Sequence, residues 1–123
     1  DGREGDLPTT VREVVERLAP AAAVVTDFEG VPVVEAGPRA EAESMEVLSA
    51  ELTAFWKNVR RSRAEVGEGA LDSLVLTGSA GSVAVMSITP AYALLLKTGP
   101  GLPAGRIRFE AVRAAGRLRA ALL

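Results

Sequence analysis

The stretch VVTDFEGVPVVEAG, Val24 to Gly37, decides the fold because it joins two short apolar runs through a turn. Gly30 can adopt the positive φ that a tight connection requires, and Asp27 can accept hydrogen bonds within the turn. The runs from Ala22 to Thr26 and from Val31 to Glu35 are therefore predicted to pair as a β-hairpin.

Three further strand signals follow later in the chain. They run from Leu71 to Thr77, from Ser82 to Thr89 and from Tyr92 to Thr98. The connections between them are so short that neighbouring strands must run antiparallel. This part of the chain is predicted to be a three-stranded meander.

The apolar pattern also predicts where each strand lies in the sheet. Pro32 has no N–H to donate, so its strand belongs at an edge. The run from Ala93 to Leu96 is apolar on both faces, as is the run from Ala22 to Thr26, and such runs are typical of central strands covered on both sides. We expect a five-stranded antiparallel sheet, with the Leu71 to Thr77 strand at the second edge.

Helical periodicity predicts three helices around this sheet. The first begins at a capping box, Thr10 to Glu13, and stops near Pro20; the second runs from about Ala40 to Val66 and the third from about Ala104 to Leu122. The predicted core face of the second helix is Met45, Leu48, Leu52, Phe55, Trp56 and Val59. The fold class is α+β, in the order α-β-β-α-β-β-β-α with helices on both faces, as one domain over residues 9–123 after a flexible segment, 1–8.

Composition excludes several kinds of chemistry. The 123 residues include no Cys and no His, so a thiolate nucleophile, an imidazole base and a Cys/His zinc site are impossible in this sequence. The segment GPGLPAG, Gly99 to Gly105, has the wrong spacing for a nucleotide-phosphate loop. We expect no catalytic residue, metal or cofactor, and the net charge of −2 favours neither nucleic acid nor insertion into a membrane. Without a signal-like or membrane-spanning segment, a cytoplasmic location is expected.

Two groups of residues on the second helix are candidates for interaction. Val47, Ala50 and Ala54 form a small-residue face outside the predicted core arc, to which another helix could pack closely. Lys57, Arg60 and Arg61 form the densest basic cluster, with Trp56 beside it, and could contact an acidic partner. For both groups an ordinary solvated helix surface, with Trp56 in the core, is the more common explanation of the pattern.

In its order of elements the chain resembles the roadblock (dynein light chain) family, and within it the MglB-like bacterial members. The matching segments are AAAVVTDFEGVPVVEAG, the helix MEVLSAELTAFWKNVRRS, and LDSLVLTGSAGSVAVMSITPAYALLLKTGPG before the last helix. Related layouts occur in profilin-like and longin-like domains.

The resemblance implies a non-enzymatic homodimer that binds a small Ras-like GTPase and modulates its nucleotide cycle. In this family the middle helix and the first strand of the meander form the dimer, which gives a predicted interface of Val47, Ala50, Ala54, Leu74 and Leu76. The predicted partner-binding residues are Trp56, Lys57, Arg60 and Arg61. The alternative is a ligand-sensing or scaffold α/β domain with no GTPase partner.

Overall fold

The computed structural model of the chain describes residues 7–18 and 21–122. Within these residues the elements follow the predicted order, with one short 3-10 turn, Arg39–Glu41, before the second helix. The helices and strands are α1 (Leu7–Arg17), β1 (Ala21–Asp27), β2 (Pro32–Ala36), α2 (Ala42–Glu65), β3 (Ser73–Gly78), β4 (Gly81–Thr89), β5 (Tyr92–Thr98) and α3 (Ala104–Leu122).

The five strands form one antiparallel sheet in the order β2-β1-β5-β4-β3. In the centre, Val24 of β1 pairs with Glu35 of β2 on one side and with Leu95 of β5 on the other. Pro32 is the first residue of the edge strand β2, where its missing N–H disturbs the ladder least. The predicted sheet and both of its predicted edges are confirmed.

The sheet separates two hydrophobic clusters. Because side chains alternate between faces along a strand, Ala23 and Val25 point toward α1 and α3, whereas Ala22 and Val24 point toward α2. The cluster under α1 and α3 includes Val11, Leu18, Ile107 and Leu118, and the cluster under α2 includes Met45, Leu52 and Trp56. The prediction of helices on both faces is confirmed.

The start of the first helix differs from the prediction. α1 begins at Leu7, with Pro8 in its first turn, where a proline lacks only an N–H that the helix leaves unpaired anyway. Thr10 is therefore the fourth residue of the helix, fully buried, and not an N-cap. Leu7 and Pro8 belong to the folded domain, while residues 1–6 of the predicted flexible segment lie outside the described residues.

The buried stripe of α2 is also rotated from the predicted arc. Ser49 and Thr53 are buried on this stripe. Their burial is tolerated because their hydroxyls donate to helix carbonyls one turn earlier, at 2.8 Å and 2.7 Å. Trp56 lies on this stripe and is only 1% exposed. Phe55 lies about 100° further round the helix and is 45% exposed, so its assignment to the core was wrong.

The β3–β4 turn depends on a glycine at its end. A Cβ added to Gly81 would lie 2.3 Å from the carbonyl oxygen of Thr98 on β5. Only a residue without a side chain permits this approach of two backbones. The turn is thereby held against the end of β5, next to the surface described below.

Candidate interaction surface on α2 and β3

One flank of α2 faces the outer part of the sheet and carries exposed apolar side chains. Val47 is 62% exposed near the start of the helix, Phe55 is 45% exposed two turns later, and half-buried Val59 lies one turn beyond Phe55. On the sheet, Leu76 of β3 is 43% exposed and lies opposite Val83 of β4. We call Val47, Phe55, Val59, Leu76 and Val83 the α2–β3 patch.

A groove of about 530 Å³ lies at one end of this patch, between the start of α2 and the β3–β4 hairpin. Val47 and Leu48 line it on the helix side, and Gly81 and Val83 line it on the sheet side. The groove lies toward the side of the sheet that ends at β3, beyond which no further strand follows in the described residues. Its apolar walls can therefore be buried by a second molecule.

The backbone of β3 adds a polar component to the same surface. β3 is an edge strand paired only with β4, and its burial decreases from half-buried Ser73 to exposed Gly78. The outer N–H and C=O groups of an edge strand are free to pair with another strand. Apolar side chains and an open strand edge thus lie side by side.

The structure brings only some of the predicted dimer residues together. Val47 and Leu76 lie in the α2–β3 patch, while Leu74 is half-buried against the core. Ala50 and Ala54 are exposed, but a Cβ added to Gly30 would lie 3.1 Å from the Cα of Ala50. Ala50 therefore lies over the β1–β2 turn, on the flank of α2 away from β3. Phe55 was not predicted as an interface residue, because its position on the helix had indicated the core.

The basic cluster is on this other flank of α2, against the β1–β2 turn. The Nζ of Lys57 lies 3.3 Å from a carboxylate oxygen of Glu29, and the Arg60 guanidinium lies 5.8 Å from the ring centroid of Phe28. Arg61 donates to the side chain of Asn58 at 3.3 Å. The turn therefore orders Lys57 and Arg60, whereas Arg61 is hydrogen-bonded within α2, and all three remain at the surface.

Trp56 does not belong to that surface. Its ring lies 6.2 Å from that of Phe28, beneath the basic cluster, and almost none of it is exposed. The prediction that Trp56 contacts a partner directly is wrong for this structure, because its side chain is buried in the core cluster that includes Leu52 of α2 and Val24 and Leu95 of the sheet. Its buried ring anchors α2 to the sheet.

A polar cluster ties β5 to the start of α2, and sequence reasoning did not find it. The Lys97 ammonium is bonded to the Glu41 carboxylate and donates to the Ser44 hydroxyl at 3.3 Å. The hydrogen bond from Lys97, and then its charge, lower the pKa of Glu41. Lys97 and Glu41 line a cavity of about 250 Å³ together with Thr98 and Pro38. The available signal was Lys97 itself, the one charge in the run ALLLKT.

The described residues contain neither a candidate metal site nor a membrane-spanning helix. No group of three or more Asp, Glu, His or Cys side chains in this part of the chain could hold a metal ion. None of the helices over residues 7–18 and 21–122 is long and apolar enough to cross a membrane.

Comparison with known proteins gives matches in structure only. No protein-family model matches the sequence, and no curated protein matches it. The roadblock/LC7 domain from Streptomyces avermitilis aligns with a TM-score of 0.82 at 18% identity, covering 95% of this chain and 98% of that one.

Two MglB structures align over similar lengths. Myxococcus xanthus MglB gives a TM-score of 0.81 at 12% identity, covering 92% of this chain and 91% of that one. The gliding protein MglB from Thermus thermophilus gives a TM-score of 0.78 at 15% identity, covering 91% of this chain and 84% of that one. At these identities the likeness establishes the architecture, and the chain therefore has the roadblock/LC7 fold, which MglB shares.

Proposed function

We propose that the chain is a non-enzymatic homodimer that binds a small Ras-like GTPase and modulates its nucleotide cycle as a regulator or scaffold. The observation that carries the proposal is the α2–β3 patch, an uncovered apolar surface beside an open strand edge. The roadblock fold supports it, because the family resemblance implies a dimer formed by the same two elements.

The dimer would form about a two-fold axis between two β3 strands. Antiparallel pairing of β3 with its copy would satisfy the outer N–H and C=O groups and join two five-stranded sheets. The α2 helices would then lie beside each other and cover Val47, Phe55 and Leu76. Such an interface has the features of a stable homodimer, an apolar centre with continuous backbone pairing.

The GTPase surface would be the basic flank of α2, which this dimer leaves exposed. Lys57 and Arg60 lie against the β1–β2 turn and away from β3, and Arg61, the residue that follows Arg60, is exposed. GTPase switch regions carry acidic groups, so complementary charge would orient the encounter. A symmetric dimer would present this flank twice.

The proposed action is indirect. An arginine finger has to reach the phosphates bound to its partner. The Arg60 guanidinium instead lies over the Phe28 ring, and Arg61 is hydrogen-bonded to Asn58 of the same helix. The dimer would instead act by binding one arrangement of the partner's switch residues more tightly than another, which shifts the population of its states.

The test begins with the mass of the purified protein by light scattering at micromolar concentration, for which we expect a dimer. Immobilised protein is then exposed to cell extract loaded with GDP or with a GTP analogue, and bound GTPases are identified. Charge reversal at Arg60 and Arg61 together should weaken capture, while reversal at Arg12, which is exposed on α1, should not. A monomer, or capture unchanged by the double reversal, would contradict the corresponding part of the proposal.

The ligand-sensing alternative gives a different result in the same samples. A small molecule in the groove between α2 and the β3–β4 hairpin would raise the melting temperature of the protein. A large thermal shift with a metabolite or nucleotide, together with no GTPase captured, would replace the proposal by this alternative.

A further inference from the structure

The outward face of α3, on the opposite side of the sheet from α2, carries a second apolar line that the proposed function does not use. Phe109 is 59% exposed and Val112 is 45% exposed. Gly105 precedes Phe109 by four residues and Gly116 follows Val112 by four. The spacing of four, three and four residues places all of them on one narrow line along the helix, as in the contact line of a coiled coil. We call these four residues the α3 seam.

The local geometry does not require glycine at either of the two glycine positions of the seam. A Cβ added to Gly105 or Gly116 would meet nothing within 4 Å, and neither has a positive φ. Glycine in a helix interior is less favourable than alanine, and Gly116 lies in the middle of α3. Because glycine has no side chain, another helix can approach the α3 backbone closely at Gly105 and Gly116, on either side of Phe109 and Val112.

Charge identifies what kind of helix fits. α3 carries five arginines and one acidic residue, Glu110, which is buried, although the whole chain has a net charge of −2. Arg108 lies on one side of the seam, 4.0 Å from the Asp72 carboxylate, and Arg113 lies on the other, 4.0 Å from the Glu110 carboxylate and 5.8 Å from the Phe109 ring centroid. Both side chains remain about half exposed, so each guanidinium keeps N–H donors that a partner can reach. The guanidinium fork suits paired hydrogen bonds with carboxylates.

The same charges disfavour two other occupants. A second copy of α3 would bring arginines against arginines, which repels. A membrane surface would gain only two large apolar side chains, Phe109 and Val112, which is little buried area for stable attachment.

We propose that the α3 seam docks an acidic amphipathic helix of a partner protein. The apolar side chains of that helix would pack on Phe109 and Val112, its backbone would approach at Gly116, and its flanking carboxylates would pair with Arg108 and Arg113. This docking requires neither the dimer nor a GTPase, so it can be tested whether or not the proposed function holds.

The probe is a fluorescent 21-residue helical peptide with leucine at alternating four- and three-residue spacing and glutamate on both flanks. Its affinity for the full chain is measured by anisotropy at low and high salt. Phe109→Ala should raise the Kd about tenfold or more, as loss of a central anchor does, and Gly116→Leu should do the same without unfolding, because its side chain enters open space. Raised salt should weaken binding.

The matched control is Phe55→Ala, which removes an exposed phenylalanine from the other face and should leave peptide affinity unchanged. A second peptide with lysine in place of every glutamate should bind at least about tenfold more weakly. Equal affinity for the two peptides, or no loss in the Phe109→Ala variant, would overturn the proposal. Binding to phosphatidylserine vesicles that depends on Phe109, with no binding of the acidic peptide, would overturn it in favour of a lipid surface.

Discussion

Replacing Phe55 with alanine should dissociate the proposed dimer without unfolding the protomer. An aromatic side chain offers roughly 200 Å² of contact area, so the 45% of Phe55 that is exposed corresponds to about 90 Å². At about 25 cal/mol per Å² this is roughly 2 kcal/mol in each copy and about 4 kcal/mol in the dimer. As an upper figure, the dimer Kd should rise about a thousandfold.

Sedimentation equilibrium over a range of protein concentrations measures this Kd directly. Phe109→Ala is the matched control, because it truncates a phenylalanine on α3 that is at least as exposed and should leave the dimer Kd unchanged. The neighbouring substitution Trp56→Ala should behave differently from both. Since Trp56 is 1% exposed in the core, its removal should lower the free energy of unfolding by about 3–5 kcal/mol in chemical denaturation.

A change of less than about tenfold in the dimer Kd of Phe55→Ala would contradict this prediction, since a central aromatic anchor should contribute more than that. So would a loss of dimer affinity in Phe109→Ala as large as the loss in Phe55→Ala. In that case dimerisation would use the α3 face and not the α2–β3 patch.

Three further predictions concern glycines and one ion pair. Gly81→Ala should lower the free energy of unfolding by about 2 kcal/mol or more, because its Cβ would lie 2.3 Å from the Thr98 carbonyl oxygen, and a normal denaturation midpoint would contradict that geometry. Gly116→Ala should instead raise the free energy of unfolding by about 0.5–1 kcal/mol, a sign that distinguishes it in the same assay. The pKa of Glu41 is lower in the folded state than in the unfolded chain, so its pairing with Lys97 stabilises the fold above the unfolded pKa and is lost as pH falls through the folded one. The stability difference between wild type and Lys97→Met should therefore shrink on acidification, and a difference independent of pH below neutrality would refute this assignment.

The sheet could be predicted from sequence because its signals are local and agree with one another. The turn at Gly30 and the proline at position 32 indicate the hairpin and its edge, and the connections of the meander are too short for any other pairing. The start of α1 was missed because the capping-box pattern at Thr10 indicates a later start, whereas Pro8 is compatible with the first turn that the structure shows.

The candidate surface could be predicted only in outline. Periodicity identifies an apolar side of α2 but not its width, which depends on how much sheet lies beneath the helix. Buried Ser49 and Thr53 move the true stripe toward β1, and the sheet ends at β3, so Phe55 is left uncovered. Lys97 and Glu41 are 56 positions apart, and no local pattern connects them.

The sheet that separates the two hydrophobic clusters has a consequence for how partners could influence each other. α2 rests on one cluster, while α1 and α3 rest on the other, and the strands β1 and β5 between them are buried on both faces. A ligand that tightens or loosens α2 changes contacts on its own side of a stiff, hydrogen-bonded partition. Occupancy at α2 and at the α3 seam should therefore be nearly independent, with additive binding free energies. A chain built in this way can act as an adaptor that binds two different proteins at once, with binding at one surface leaving the affinity of the other surface unchanged.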